Sequence, residues 1–449
     1  MAIGVVLADP GMTNRGLVRL YKKYGTDWNQ SQQITGPAIY SGYFGFSLDL
    51  SHDGSTLAVS ALYRSVYIYE LSDVTSKYYL LHATADIDAT DVCVSGDGST
   101  VGISANGGAR IFVRDGNAFQ QRGPTLNFYG RSWSGIALSY NGTIAAIGDY
   151  SWYSYRGRMG VFQWRDDNGN GSMEWMQMGS DITGDAASDF LGRNGCVSIT
   201  YDGLTVAVGA PYYDKDGLSG RGLVRVFNHD STIDTWKQSG SDLLGDNVND
   251  NFSKTALSSD GTYLTVGAYG SGDYVKLFTK IESNYEMIGD RVRSGQGYYF
   301  GFSVDMSADG AAVAIGDYSI NSYKGRAYLL LHNVPTHTPT FVPTKIPSSV
   351  PSKSPSFTPS VVISQIPSVV PTKYPSSAPS AYPSFVPSAA ITQIPSVVPT
   401  KVPSSVPSTS PSGNPSEVTT YMPTFVFTKD LSSSISLLPP SSGNGNGGM

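Results

Sequence analysis

The segment DDNGNGSME, Asp166 to Glu174, is the sharpest local motif of hard oxygen donors in the chain. Asp166, Asn168 and Asn170 fall at alternate positions, Gly171 allows a sharp turn and Glu174 follows three residues later, a spacing that suits the oxygen shell of Ca²⁺. A plain hairpin loop draws on the same residue types, so the competing reading is a turn that only reverses the chain. A second acidic stretch, YYDKDGLSG from Tyr212, places Asp214 and Asp216 before Gly217 and has too few donors by itself. His52, His82, His229, His332 and His337 are scattered, with neither metal spacing nor a nucleophile beside them. Catalysis needs a converging acid, base and nucleophile, and the sequence assigns no catalytic residue.

Aromatic residues gather in two matching loops, GDYSWYSYRGR from Gly148 and GDYSINSYKGR from Gly316. Tyr150, Trp152, Tyr153, Tyr155, Tyr318 and Tyr323 are expected to project from one face, where rings beside polar groups stack on sugars or peptide side chains. Tyrosines on neighbouring loops also pack on each other, which is the alternative. Asn-x-Ser/Thr sequons occur at Asn29, Asn141, Asn170 and Asn251. Asn141 sits in a tight turn and Asn170 in the candidate metal loop, which leaves Asn29 and Asn251 as the N-glycan acceptors of a secreted protein.

The elements that position these loops repeat. A Ser or Thr, any residue, Asp-Gly or Asn-Gly, and then a short apolar strand recur as SHDGSTLAVS from Ser51, SGDGSTVGIS from Ser95 and SYNGTIAAIG from Ser139. TYDGLTVAVG from Thr200, SSDGTYLTVG from Ser258 and SADGAAVAIG from Ser307 continue the series, and GVVLADP from Gly4 is a copy without its opening half. Strands recurring at this spacing without helical periodicity specify an all-β fold, a seven-bladed β-propeller of four-stranded antiparallel blades. In the second strands a branched residue alternates with a small one, as in Val206, Ala207 and Val208, which permits close approach near the axis. First and fourth strands are one short of seven, so the first blade lacks a strand and the seventh lacks its outermost.

Proline divides the chain. Pro10, Pro37, Pro124 and Pro211 are the only prolines before residue 334, out of 26 in all. The propeller is therefore assigned to 1–333 and a low-complexity tail to 334–449. Prolines at mostly every fourth residue from Pro335 to Pro415, each followed by Ser or Thr, forbid helix and sheet ladders and leave an extended, disordered stalk, a substrate for O-glycosylation in secreted proteins. The one tail stretch with strand-like alternation is YMPTFVFTKD from Tyr421, the segment that would supply the outermost strand of blade seven if the tail returned.

The formal net charge is −6, and the tail's lysines outnumber Glu417 and Asp430, so the excess acid lies on the propeller and gives no support to a nucleic-acid partner. Cys93 and Cys196 fall on first strands of non-adjacent blades and read as buried apolar residues rather than a disulfide. No stretch approaches the length of a membrane span. The run Ile3 to Ala8 is short, lacks a basic leader and lies in register with the blade strands, unlike a signal peptide.

GFSLDLSHDGSTLAVS and YFGFSVDMSADGAAVAIGDY, with VAVGAP at Val206 and GLVRVF after it, resemble the FG-GAP and WD-repeat-like propellers of secreted proteins from diatoms and related algae, which often end in similar Pro-Ser/Pro-Thr tails. Phe44-Gly45, Phe300-Gly301 and Gly209-Ala210-Pro211 match the FG and GAP signatures, while no blade has the Trp-Asp ending of WD repeats. The resemblance implies the fold and an extracellular or wall-associated setting, and it carries no catalytic residues. The expected function is non-enzymatic binding, a loop face for glycan or protein with the tail as tether. An intracellular scaffold propeller and a propeller hydrolase or oxidoreductase are the rivals.

Overall fold

A computed structural model describes residues 1–332 and Val426–Phe427, apart from 9–13, 26, 39–41, 63, 85–86, 128–132, 168, 170, 295–298 and 318–325. The chain folds as a seven-bladed β-propeller, each blade an antiparallel sheet whose strands run in chain order from the axis outward. The inner strands of blades two to seven are Phe44–Leu50, Ala89–Val94, Ile136–Leu138, Val197–Ile199, Phe252–Leu257 and Phe300–Met306. Among the described residues blade one has three strands, Ala2–Val5, Leu17–Tyr24 and Asp27–Thr35. Blade seven is completed from the tail, because Val426–Phe427 pairs with Arg326–Leu331 as its fourth strand. The stretch singled out from Tyr421 thus contributes the strand that residues 1–333 lack.

Why the Ser-x-Asp-Gly phrase recurs is visible in its hydrogen bonds. Ser51 donates its hydroxyl to Asp53 at 2.7 Å and accepts the Thr56 N–H at 2.9 Å, while the glycine between takes a left-handed backbone, φ +71° at Gly54. The same pair of side-chain bonds forms at Ser95, Ser139, Thr200, Ser258 and Ser307. These turns also bond to one another. The N–H of His52 donates to Gly96, Asp97 to Tyr140, Tyr140 to Tyr201, Tyr201 to Ser259, and Ser259 to Ala308. One face of the disc therefore carries a backbone chain linking blades two to seven.

The core lies between blades rather than within them. Among the described residues each pair of neighbouring blades shares one apolar cluster; Val59, Ile103, Val208 and Ile315, the branched residues of second strands, are all 1 % exposed or less. Small residues on those strands face the next blade and let the backbones touch. Among the described residues the cluster between blades seven and one is the thinnest, with Ile3, Tyr21 and Ala327 as its buried members. Cys93 and Cys196 are free and buried, as their positions implied. Among the described residues no helix is long and apolar enough to cross a membrane.

Candidate functional site

Opposite the face of short turns, the loops after the second strands and the segments leading into the inner strands converge. The loop after Gly148 folds back on the 188–191 segment through backbone bonds from Ser188 to Ser154, Phe190 to Tyr155 and Leu191 to Arg156. Tyr153, Ser154 and Tyr155 have φ of +45°, +58° and +62°, and Ser188 and Phe190 have +67° and +59°. Bulky non-glycine residues seldom adopt this region, and each costs about 1–3 kcal/mol that surrounding contacts must offset. The result is a fixed aromatic platform. Tyr150 and Tyr155 stack on Phe190 with centroids 5.7 and 5.1 Å away, and Phe190 meets Tyr212 edge-on at 5.0 Å. Trp152 packs against Tyr153 at 5.6 Å with the Arg158 guanidinium over its ring, and Tyr153 is 72 % exposed.

Two cations continue this platform around the mouth of the central channel. Arg193 lies 6.0 Å from the Phe190 centroid and donates to the Tyr212 hydroxyl at 3.2 Å. Burial pulls its guanidinium down, but the neighbouring Tyr269 and Tyr212 hydroxyls, the latter hydrogen-bonded to it, outweigh that and hold it above its ordinary value. Lys254, 6 % exposed, sits 5.3 Å from the Tyr269 centroid and 5.1 Å from that of Phe302, and burial holds its ammonium below its usual pKa. The Lys254 ammonium donates to the Asn194 carbonyl, and the Asn194 side chain donates to Thr90 at 2.8 Å, a link across the mouth from blade six to blade three. Both cations are thus engaged, Arg193 by rings and the Tyr212 hydroxyl and Lys254 by rings and the Asn194 carbonyl.

Of the residues singled out from sequence, Tyr150, Trp152, Tyr153 and Tyr155 come together here, while Tyr318 and Tyr323 lie outside the described residues. Phe190, Arg193, Tyr212, Lys254, Tyr269 and Phe302 were missed. A periodic signal marked several of them: Phe46, Arg193, Lys254 and Phe302 each follow the Phe-Gly, Leu-Gly or Phe-Ser step that opens or leads into an inner strand, and Tyr150, Tyr212 and Tyr269 each come just after a second strand.

Asn168 and Asn170 also lie outside the described residues. Asp166 accepts the Gly171 N–H at 2.7 Å and so ties the hairpin loop, while Glu174 begins the outer strand of blade four opposite Arg165. Among the described residues no three His, Cys, Asp or Glu side chains cluster as metal ligands. Asp214 accepts from the Gly220 N–H and Asp216 pairs with Arg221, so that second acidic loop is held by its own bonds. Asn29 is exposed on the outer strand of blade one, whereas Asn251 is half-buried with its side-chain oxygen enclosed.

Several solved structures are similar. A putative 6-phosphogluconolactonase from Bacteroides fragilis aligns with a TM-score of 0.52 at 12 % identity over 74 % of this chain and 90 % of its own. The periplasmic gluconolactonase of Pseudomonas aeruginosa aligns with a TM-score of 0.51 at 12 % identity, over 74 % and 92 %. A protein from Lactobacillus plantarum gives a TM-score of 0.51 at 12 % identity over 74 % and 92 %. No protein-family model matches the chain, and no curated protein matches it. At this identity the likeness shows the fold alone, a β-propeller.

Proposed function

We propose that the chain is a non-enzymatic binding propeller, extracellular or wall-associated, that takes a glycan or protein ligand on its aromatic face while the Pro/Ser/Thr-rich tail tethers it. The observation that carries this reading is the strained platform of Tyr150, Tyr153, Tyr155 and Phe190. Fixing rings in costly backbone conformations pre-organises them, which spares a ligand the cost of ordering them. The FG and GAP steps support kinship with FG-GAP-like secreted propellers, and exposed Asn29 is the better N-glycan acceptor of the two proposed. Glycan-array binding of the purified chain is the first test. Tyr153→Ala and Trp152→Ala should each weaken binding about tenfold, the loss of about 1.4 kcal/mol of stacking, with melting unchanged. An array without signal, followed by capture of a protein ligand, would move the proposal to its protein branch; neither would sink it. Two of the similar structures are lactonases by name, so a lactone-hydrolysis assay belongs beside the array. Turnover above buffer would overturn the non-enzymatic assignment.

A weak Ca²⁺ site at Asp166, Asn168, Asn170 and Glu174 is part of the same proposal, supported by donor spacing. Calorimetry should show binding in roughly the 0.1–1 mM range typical of extracellular modules, lost in Asp166→Ala. A flat titration of the native chain would leave the segment as a hairpin loop.

A further inference from the structure

Blade one lacks an inner strand among the described residues, and its neighbours register the gap. Gly4 lies against the Gly45 carbonyl as Gly209 lies against that of Ser253 and Gly267 against that of Gly301, which marks Ala2–Val5 as a second strand. Met1 and Tyr21 exchange backbone hydrogen bonds, so by antiparallel alternation Ala2 and Gly4 turn their N–H and C=O groups toward the axis, away from Leu17–Tyr24. The inner strand of blade three is buried throughout, whereas on the inner strand of blade seven, beside the gap, Ser303 and Asp305 are exposed.

Blade two shows what those two residues are for. Its FGFSLDL strand uses the Ser47 hydroxyl and the Asp49 carboxylate to accept the N–H groups of Val92 and Val94, at 3.2 and 2.7 Å, on the inner strand of blade three. Blade seven repeats the strand as FGFSVDM, with Ser303 and Asp305 at the matching positions. Asp305 accepts from its own neighbour Met306 at 2.8 Å, as Asp49 does from Leu50. Across the gap the Met1 ammonium acts on it through charge, and among the described residues no inner-strand N–H bonds to it.

We propose that Ser434–Leu437, beyond the described residues, is the missing inner strand of blade one and closes the ring. Chain order favours it: an outer strand is followed by the inner strand of the next blade, and after Val426–Phe427 that next blade is blade one. The spacing from Phe427 to Ser434 falls between that from Ala83 to Ala89 and that from Leu244 to Phe252, where the same step is made between blades two and three and between blades five and six. The pattern fits as well, since Ile435-Ser436-Leu437 repeats the apolar, small or polar, apolar triplet of Val92-Cys93-Val94, Val197-Ser198-Ile199 and Val304-Asp305-Met306. The segment is free of proline up to Pro439, so both required N–H donors are present. Matching the triplets puts Ser436 opposite Ala2, with Ser303 accepting from Ile435 and Asp305 from Leu437.

Ala2→Cys combined with Ser436→Cys tests this in the full chain, since the native cysteines are buried. An intramolecular disulfide is expected on mild oxidation. A disulfide that forms only between chains would instead mean exchange between copies, and none at all would overturn the register. Independently, hydrogen exchange should find the Ala2 and Gly4 amides protected in the full chain and about tenfold or more faster in a chain ending at Lys429, which keeps Val426–Phe427. Equal protection in the two chains would overturn the proposal; should the shortened chain fail to fold, the disulfide result decides.

Discussion

Replacing Gly209 with alanine should cost the fold about 3 kcal/mol or more, enough to lower its melting temperature by several degrees and its soluble yield. A Cβ at this position would stand 2.1 Å from the Ser253 carbonyl oxygen and 2.8 Å from the Ser253 Cα, and both partners are backbone. Neither can rotate away, so blades five and six would have to separate and open the cluster that Ala207, Val224 and Phe252 share. Gly209 has ordinary backbone angles, which leaves the added atom itself as the cause. Blades two and three place Ser60 and Ser104 at the matching position, whereas Gly148 against Gly192 and Gly267 against Gly301 repeat the close approach. Thermal and urea unfolding of Gly209→Ala check this. An unchanged midpoint would show that the interface between blades yields far more easily than its packing implies.

A second large effect concerns pH. Burial, reinforced by the nearby Asp305 carboxylate, pushes Asp49 up to about 8, and burial pushes Asp91 up to about 6. Both start near 3.8 in the unfolded chain, so between the two values the folded state holds protons that the unfolded state has released. Stability is then highest at low pH and falls as pH rises through the folded pKa values. Asp49 keeps partial solvent contact, so its shift is discounted. The pair together should cost on the order of 3 kcal/mol between about pH 4 and about pH 8. His332, lowered by burial, works in the opposite direction near pH 6, and the carboxylates held low by hydrogen bonds, such as Asp309, act below pH 4. Asp49→Asn isolates the effect, because its amide oxygen still accepts from Val94. Melting temperatures of the native chain should fall across pH 5 to 8.5 while those of the variant fall less, and parallel curves would refute the assignment.

The blades were legible because each local choice answers a local demand. Asp53 and Gly54 signal a hairpin turn, and Val206-Ala207-Val208 signals a strand pressed between two sheets. Even so, the reason for the serine at the head of the phrase, its bonds to Asp53 and Thr56, emerges only with the turn in place. The aromatic face was half legible: Tyr150 to Tyr155 stand together in sequence, but Arg193, Lys254 and Phe302 enter one per blade. Their meeting depends on blade order around an axis, which local periodicity does not encode. Blade seven's outer strand was hardest, since Val426–Phe427 is separated from its partner by a long proline-rich stretch that no pairing rule spans.

The chain of turns linking blades two to seven also sets where this molecule can change. Each link from His52 to Ala308 needs a turn of fixed length, because one added residue would move the N–H away from the next carbonyl. Insertions and deletions are therefore barred from these linked turns, whatever their sequence. The opposite face carries no such constraint, and its connections already differ in length from blade to blade, from Ala83–Ala89 to Gln121–Ile136. Divergence between copies of this repeat, and any grafting of new loops by an engineer, falls to the side where the aromatic platform stands and to the outer hairpins, which already range from Ile281–Asn284 to Arg165–Glu174.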